Sequence, residues 1–195
     1  MTSILKADTI QDADGNNIIN ESGNTITIGA SGDTISIPSG ATIANSGTAT
    51  GFGANTPAFE ARLNADQTIS DDTFIKISVN SEVFDTDNCY DDAVNYRFTP
   101  TVAGRYFIYW VVCGQANSAN AHNSNGFIYF NGSQYNGASI VPNGNSSGGS
   151  TTATAIIDFN GSSDYVEFYV KQVGGTQSIG SDNYITFAEA YKIIE

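Results

Sequence analysis

Basic residues are scarce in this sequence. Its 195 residues include seven Lys and Arg against 20 Asp and Glu, which gives a formal net charge of −13 at pH 7. Proteins that bind nucleic acids neutralise the phosphates with clustered Lys and Arg. A chain with this charge balance offers no such cluster, so we expect no nucleic-acid partner.

Long apolar runs are also missing. The longest strongly apolar run spans residues 106–113, whereas a helix needs roughly 20 apolar residues to cross a bilayer. No apolar segment of the kind found in a signal peptide follows Lys6. We therefore expect no membrane insertion, and we expect the two cysteines, Cys89 and Cys113, to be free thiols rather than a disulfide.

The side chains that usually carry catalysis are few and scattered. His122 is the only histidine and lies in a polar segment, residues 117–125, which fits an exposed loop better than the oriented base of a Ser-His-Asp triad. One His and two distant Cys do not form a zinc site. A glycan hydrolase needs two paired acids, and no pattern in the sequence pairs its carboxylates. We expect no enzymatic activity and no cofactor.

Residues 85–88, Asp-Thr-Asp-Asn, form a short segment rich in oxygen ligands. Calcium prefers several such ligands. The segment is not the loop of a helix–loop–helix calcium site, because its sixth residue is Tyr90 instead of Gly and its twelfth is Tyr96 instead of Glu. A solvated loop is the favoured interpretation, and calcium binding is the alternative.

Residues 1–45 contain a degenerate repeat of the form Gly-x-Thr-Ile. Its units begin eight, nine and eight residues apart, at Gly15, Gly23, Gly32 and Gly40. The alternation of Ile with Thr or Ser places the two Ile of a unit on one face of a short strand. The repeat therefore predicts an extended arm of short β repeats, packed through its isoleucines, in particular Ile18, Ile26, Ile28, Ile35 and Ile37.

This arm has too few apolar side chains to be stable by itself. Ordering nearly fifty residues costs more conformational entropy than the burial of its isoleucines offsets. Two arrangements supply the missing burial: identical chains wrap around a common axis, or the arm lies against another protein. Residues 46–57 follow with Gly, small residues and a closing Pro57, which is the composition of a linker.

Residues 58–195 have the pattern of an all-β domain. Short alternating segments are separated by Asn-Gly and Gly-Gly turn signals, and such a series predicts a β-sandwich or a barrel. The expected strands span residues 58–63, 73–79, 96–98, 104–114, 125–130, 151–159, 165–173 and 183–194.

The middle and the end of this domain carry specific motifs. They are Phe84-Asp85, Tyr90-Asp91, Tyr96-Arg97-Phe98-Thr99-Pro100, Gly104-Arg105-Tyr106-Phe107-Ile108-Tyr109, Asp164-Tyr165-Val166-Glu167-Phe168 and Thr186-Phe187-Ala188-Glu189-Ala190-Tyr191. Through them, residues 57–195 resemble the globular head of complement component one q, a jelly roll shared with the tumour necrosis factor family. The resemblance implies a jelly-roll β-sandwich that assembles as a compact homotrimer.

The expected strand that begins at Gly104 is apolar on both faces. Alternation places Tyr106 and Ile108 on one face and Phe107 and Tyr109 on the other. One face of an isolated sandwich sheet is normally wet, so a second apolar row indicates a subunit interface. We predict that this strand serves both the core and the trimer.

The N-terminal arm carries a second resemblance. Residues 3–12, 16–21 and 25–29 are similar to the N-terminal segments of structural proteins of tailed phages, especially cyanophages. Together the two resemblances imply a structural protein on the virion surface, whose arm attaches to capsid or tail proteins and displays a trimeric head. A capsid decoration protein and a short tail fibre both fit. The alternative is a free carbohydrate-binding adhesin or lectin with the same head fold.

Two long polar loops are expected at residues 114–126 and 135–150. Loops at one end of a rigid sandwich are common recognition sites. If these loops recognise a ligand such as a host cell-surface glycan, His122 and Tyr135 are the candidate side chains. Solvated loops without a ligand are the alternative, and loop composition does not choose between the two.

Overall fold

The computed structural model describes residues 9–11, 13, 15, 17–22, 25–29, 31–47, 55–115, 123–140, 149–175, 177–181 and 185–193. Contacts between residues divide the chain into two units, residues 1–50 and residues 51–195. The division falls within residues 46–57, the segment with linker composition. The described residues form three strands in the first unit and thirteen in the second.

The first unit contains an antiparallel sheet of three short strands. They are β1 (Thr9–Gln11), β2 (Asn17–Ser22) and β3 (Thr25–Ile28), in that order across the sheet. Ile19 stands opposite Ile10 on one side and opposite Ile28 on the other. The repeat thus aligns isoleucines across the sheet, and Ile26 and Ile28 remain 67% and 56% exposed.

Residues 34–37 do not form the strand that the repeat predicts there. Residues 33–38 have no regular structure, and Ile35 and Ile37 are 59% and 48% exposed. A strand forms where its backbone N–H and C=O groups pair with a neighbour, and the described residues supply no neighbour to this segment. Ile18 belongs to β2, and its side chain lies outside the described residues. The packing of these isoleucines against other chains stays a prediction.

The second unit is an antiparallel sandwich. Its first sheet contains β4 (Ala58–Arg62), β5 (Gln67–Ile69), β7 (Ser81–Asp85), β10 (Gly104–Gln115), β13 (Gly149–Phe159), β15 (Gln177–Ile179) and β16 (Phe187–Lys192). Its second sheet contains β6 (Ile75–Lys76), β8 (Tyr90–Asp91), β9 (Arg97–Phe98), β11 (Asn123–Phe130), β12 (Ser133–Ile140) and β14 (Val166–Val173). In the described part of the chain, no helix is long and apolar enough to cross a membrane.

The strand order shows how the chain alternates between the sheets. The first sheet has the order β5-β15-β10-β16-β4-β7, and β13 also pairs with β10. The second has the order β12-β11-β14-β9-β8, and β6 also pairs with β14. Neighbours that are distant in sequence, such as β10 and β16, show the crossovers of a Greek-key sandwich. The predicted all-β sandwich is confirmed.

The core lies between the two sheets and is built by alternation along the long strands. Tyr106, Ile108 and Trp110 of β10 are fully buried. The polar atoms of the large rings have partners: the Tyr106 hydroxyl donates to the Val102 carbonyl at 2.7 Å, and the Trp110 indole N–H donates to the Tyr169 carbonyl at 3.2 Å. Because Trp110 and Tyr169 belong to different sheets, this last bond ties the sheets together.

The hairpin between β11 and β12 has the geometry that its Asn-Gly turn predicts. Asn131 and Gly132 have φ angles of 49° and 76°, as both central residues of a type I′ turn require. Phe130 pairs with Ser133 across the turn. The loop predicted at residues 135–150 is wrong for residues 135–140, which belong to β12. This strand is mostly polar, so its sequence carries little hydrophobic signal.

Candidate functional site

The outer side of the first sheet carries a group of aromatic side chains. Phe107 and Tyr109 project from β10, and Phe187 and Tyr191 project from the neighbouring β16. Phe107 stands opposite Tyr191, and their ring centres are 5.6 Å apart. The ring centres of Tyr109 and Phe187 are 5.7 Å apart. We call these four side chains the aromatic face.

The aromatic face follows from a strand that is apolar on both sides. Tyr106 and Ile108 are fully buried in the core, whereas Phe107 and Tyr109 are half-buried on the opposite side of β10. Strand alternation therefore separates the four residues into an inner and an outer pair. The role of the outer pair in a trimer stays a prediction.

The apolar surface continues on both sides of the aromatic face. Phe84 on β7 and Ile156 on β13 are 44% and 56% exposed, and Tyr191 is 42% exposed. Ile156 stands opposite Phe107, and Phe84 stands opposite Glu60 of β4. An apolar patch that extends from β13 to β7 is typical of a protein–protein interface.

Two carboxyl groups stand in the middle of this surface. Glu60 of β4 and Glu189 of β16 are directly opposite each other. Arg62 binds Glu60: its Nε donates to Oε1 at 2.8 Å, and its Nη2 lies 2.7 Å from the same oxygen. Partial burial and the nearby Glu60 carboxylate raise the pKa of Glu189 above its usual 4.5. The surface therefore combines aromatic rings with a carboxyl group whose pKa is raised.

The outer side of the second sheet also carries aromatic rings, but a neighbouring segment covers them. Tyr129 of β11 and Tyr169 of β14 stack with ring centres 4.0 Å apart. Phe74, which precedes β6, packs edge-on against Phe127 with ring centres 5.0 Å apart. We call Phe74, Phe127, Tyr129 and Tyr169 the covered cluster. Alternation of Phe127 and Tyr129 with the buried Ile128 was the only sequence signal for it.

Two lysines of the second sheet hold the covering segment in place. Lys171 Nζ lies 5.1 Å from the centre of the Phe74 ring and 2.7 Å from Asp72 Oδ1. Lys76 Nζ lies 2.9 Å from Glu167 Oε1. Residues 71–76 are thus fixed to β14 by charged contacts as well as by the Phe74 ring.

The two residues predicted to contact a ligand have different outcomes. His122 lies outside the described residues, and Tyr135 lies in β12 and not in a loop. The Tyr135 hydroxyl donates to the Ile156 carbonyl at 3.3 Å, and Asn136 Nδ2 donates to the Thr154 carbonyl at 2.6 Å. Both bonds satisfy carbonyls along the edge of β13, so Tyr135 has a structural role in closing the sandwich. Its contact with a ligand stays a prediction.

The oxygen-rich segment at residues 85–88 connects β7 to β8. Asp85 Oδ1 accepts the backbone N–H of Asp87 at 3.2 Å, and Oδ2 accepts the backbone N–H of Tyr90 at 2.7 Å. Both carboxylate oxygens of Asp85 thus serve the turn. Among the residues that the structure describes, no three metal-ligating side chains come together. The favoured solvated loop and the calcium alternative both stay predictions.

The cysteines and the next turn complete this region. Cys89 is buried, Cys113 is half-buried, and both are free thiols, as predicted.

Asp91 accepts the backbone N–H of Val94 at 2.8 Å and that of Asn95 at 3.1 Å. These and further bonds lower the pKa of Asp91 to about 2, so its carboxylate is part of the folded structure of the turn.

The head is a jelly roll of the tumour necrosis factor type, as the motifs predicted. Murine APRIL is 9% identical, covers 70% of this chain and 98% of its own, and has a TM-score of 0.53. Eiger TNF from S. frugiperda is 10% identical, with coverage of 70% and 91% and a TM-score of 0.50. The PRD1 vertex protein P5 is 15% identical, with coverage of 72% and 99% and a TM-score of 0.52. No family model matches the sequence, and no curated protein matches it significantly.

Proposed function

We propose that the protein is a non-enzymatic structural protein of a virion surface, which forms a homotrimer through the aromatic face and attaches to capsid or tail proteins through its arm. The observation that carries the proposal is the open aromatic face on a jelly-roll head. The arm supports it, because its described isoleucine side chains are exposed: Ile10, Ile19, Ile26, Ile28, Ile35, Ile37 and Ile43. Both units therefore expose apolar side chains that another chain would bury.

Further copies of the same chain are the partners proposed for the aromatic face. The resemblance of the head to the complement component one q head implies a homotrimer. In a closed ring of three copies the three arms are related by the same symmetry axis, so that each isoleucine repeat has potential neighbours of the same sequence. A single assembly step then accounts for the apolar surfaces of both units.

The virion location is supported by two likenesses. The arm is similar to N-terminal segments of tailed-phage structural proteins, and the head shares its fold with the vertex protein P5 of the phage PRD1. A capsid decoration protein occurs in many more copies per particle than a tail fibre. Quantifying this chain in purified particles, and imaging particles labelled for it, decides between the two. Its absence from particles contradicts the virion role.

The mass of the purified full chain tests the homotrimer. Light scattering at about pH 5 is expected to give three times the chain mass of 20.6 kDa. Tyr191→Ser, in the aromatic face, should shift the mass toward the monomer, because it removes a ring from the interface. Tyr135→Ser removes a tyrosine of similar exposure outside that face and should leave the trimer intact. A monomeric wild-type chain, or equal effects of the two variants, contradicts the proposal.

A further inference from the structure

Glu189 stands at the centre of the aromatic face. On its own strand Phe187 precedes it and Tyr191 follows it by two residues, so all three side chains point to the same side of the sheet. Tyr109 of β10 is opposite Glu189 on one side, and Glu60 of β4 is opposite on the other. A chain that covers the rings therefore also covers the Glu189 carboxyl group.

The two facing carboxyl groups are neutralised unequally. Arg62 binds Glu60 at 2.7 Å, whereas the described residues give Glu189 no hydrogen bond and no ion pair. The titratable and charged side chains that face Glu189 are Glu60 and Arg62 from β4, Tyr109 from β10 and Tyr191 from β16. Beyond β4, strand β7 contributes Phe84 to this row. The cation in this group, Arg62, already binds the other carboxylate.

From this geometry we propose that protonation of Glu189 controls self-association over the aromatic face. Chains associate when the carboxyl group is neutral and separate when it is ionised. The proposal rests on the proposed function, because it requires a second copy on that face. Burying an ionised, unpaired carboxylate against rings costs much more than burying the neutral acid. The neutral form of Glu189 is also favoured by its position opposite Glu60, because the neighbouring carboxylate opposes a second negative charge.

The sign of the effect follows from burial. In the single chain, desolvation and Glu60 already raise the pKa of Glu189 above 4.5, and a covering chain removes more water and raises that pKa further. Self-association is therefore strongest below the pKa in the separate chain and weakens as the pH rises through the pKa in the assembly. Each pKa unit gained on assembly changes the association constant about tenfold per protomer.

Sedimentation velocity of the full chain between about pH 5 and about pH 8 tests the proposal, in about 0.3 M salt so that the net charge of −13 is screened. The wild type is expected to dissociate as the pH rises. Glu189→Gln is expected to remain associated throughout and to associate at least about tenfold more tightly than the wild type at the upper pH. Asp92→Asn is the control for the loss of one negative charge, since Asp92 follows β8 in the second sheet and lies outside the aromatic face, and it should keep the wild-type pH dependence.

The outcomes separate this proposal from the homotrimer itself. Wild-type association that does not change with pH, or that changes equally in Glu189→Gln, overturns the role of Glu189 and leaves the homotrimer intact. Equal effects of Glu189→Gln and Asp92→Asn also overturn it, because net charge alone then explains the pH dependence. Chains that stay monomeric at every pH overturn both proposals. Circular dichroism confirms that each variant is folded.

Discussion

The two sheets of the head differ in whether their outer aromatic side chains are covered by another segment of the chain. In the second sheet Phe74 lies over Phe127 and Tyr129, and Lys171 approaches its ring. In the first sheet no described segment lies over the aromatic face, and Ile156 and Phe84 on either side of it are 56% and 44% exposed. Within the described residues, the chain therefore covers one apolar sheet surface by itself and leaves the other open. We expect another chain to bind the open surface. We expect the covered surface to contribute to the folding stability of the single chain.

Phe74→Ala is expected to have the largest effect on folding. It removes the ring contacts with Phe127 and Tyr129 and opens the covered cluster, at a cost of about 2 kcal/mol in the free energy of unfolding. Tyr191→Ala, on the open face, should cost less than about 1 kcal/mol in the dissociated head. Urea unfolding, at protein concentrations low enough for the chains to be dissociated, measures the loss of stability in both variants. Equal losses would remove the distinction between the two sheets.

Gly137→Ala is expected to disturb the covered cluster from the neighbouring strand β12, where Gly137 stands opposite Phe127. A Cβ at Gly137 would lie 2.5 Å from Cδ1 of Phe127 and 3.1 Å from the carbonyl oxygen of Gly126. The Phe127 ring is packed against Phe74 and has little room to move, so we expect a loss of about 1–2 kcal/mol in the free energy of unfolding. Ser139→Ala, at an exposed position of the same strand, is the control and should be neutral. An equally stable Gly137→Ala variant would show that the cluster is loosely packed.

The long strands were predictable from sequence because their apolar residues alternate. Strands β10, β13 and β14 begin and end within two residues of the expected positions. Strand β12 was missed because residues 133–140 are mostly polar, and they become a strand through the hairpin turn at Asn131-Gly132 that places them beside β11. The strand expected at residues 73–79 shortens to β6. Before it, Phe74 packs in the covered cluster, and after it the backbone N–H of Val79 donates to the Ile77 carbonyl of its own segment instead of to a neighbouring strand.

The aromatic face was predictable only in part. Alternation within one strand places Phe107 and Tyr109 on the outer side, and the sequence therefore predicts half of the site. Their neighbours Phe187 and Tyr191 are set by the register between β10 and β16, which depends on long-range pairing. The register between β16 and β4 brings Glu189 opposite Glu60, and no local sequence pattern predicts this pairing.

Asp91 gives the second sheet a pH dependence opposite in sign to that proposed for Glu189. The backbone N–H groups of Val94 and Asn95 bind its carboxylate and lower its pKa from 3.8 to about 2. This stabilisation is present above the unfolded-state pKa and is lost as the pH falls through the folded-state pKa. Asp91→Asn should therefore lower the melting temperature at neutral pH by a few degrees. The difference from the wild type should close between pH 3.8 and pH 2, and a constant difference in thermal scans would contradict this reading.

The smallest effect is expected at residues 85–88, where the chain passes from the sheet with the open face to the sheet with the covered cluster. Asp85 already accepts the backbone N–H groups of Asp87 and Tyr90, so a calcium ion would have to compete with both bonds for the same oxygens. Thermal scans with a chelator and with added calcium are therefore expected to agree within about 1 °C. A higher melting temperature with calcium that Asp85→Asn abolishes would establish the calcium alternative. The two sheets would then be tied by a metal, and their stabilities would no longer be separable by the substitutions above.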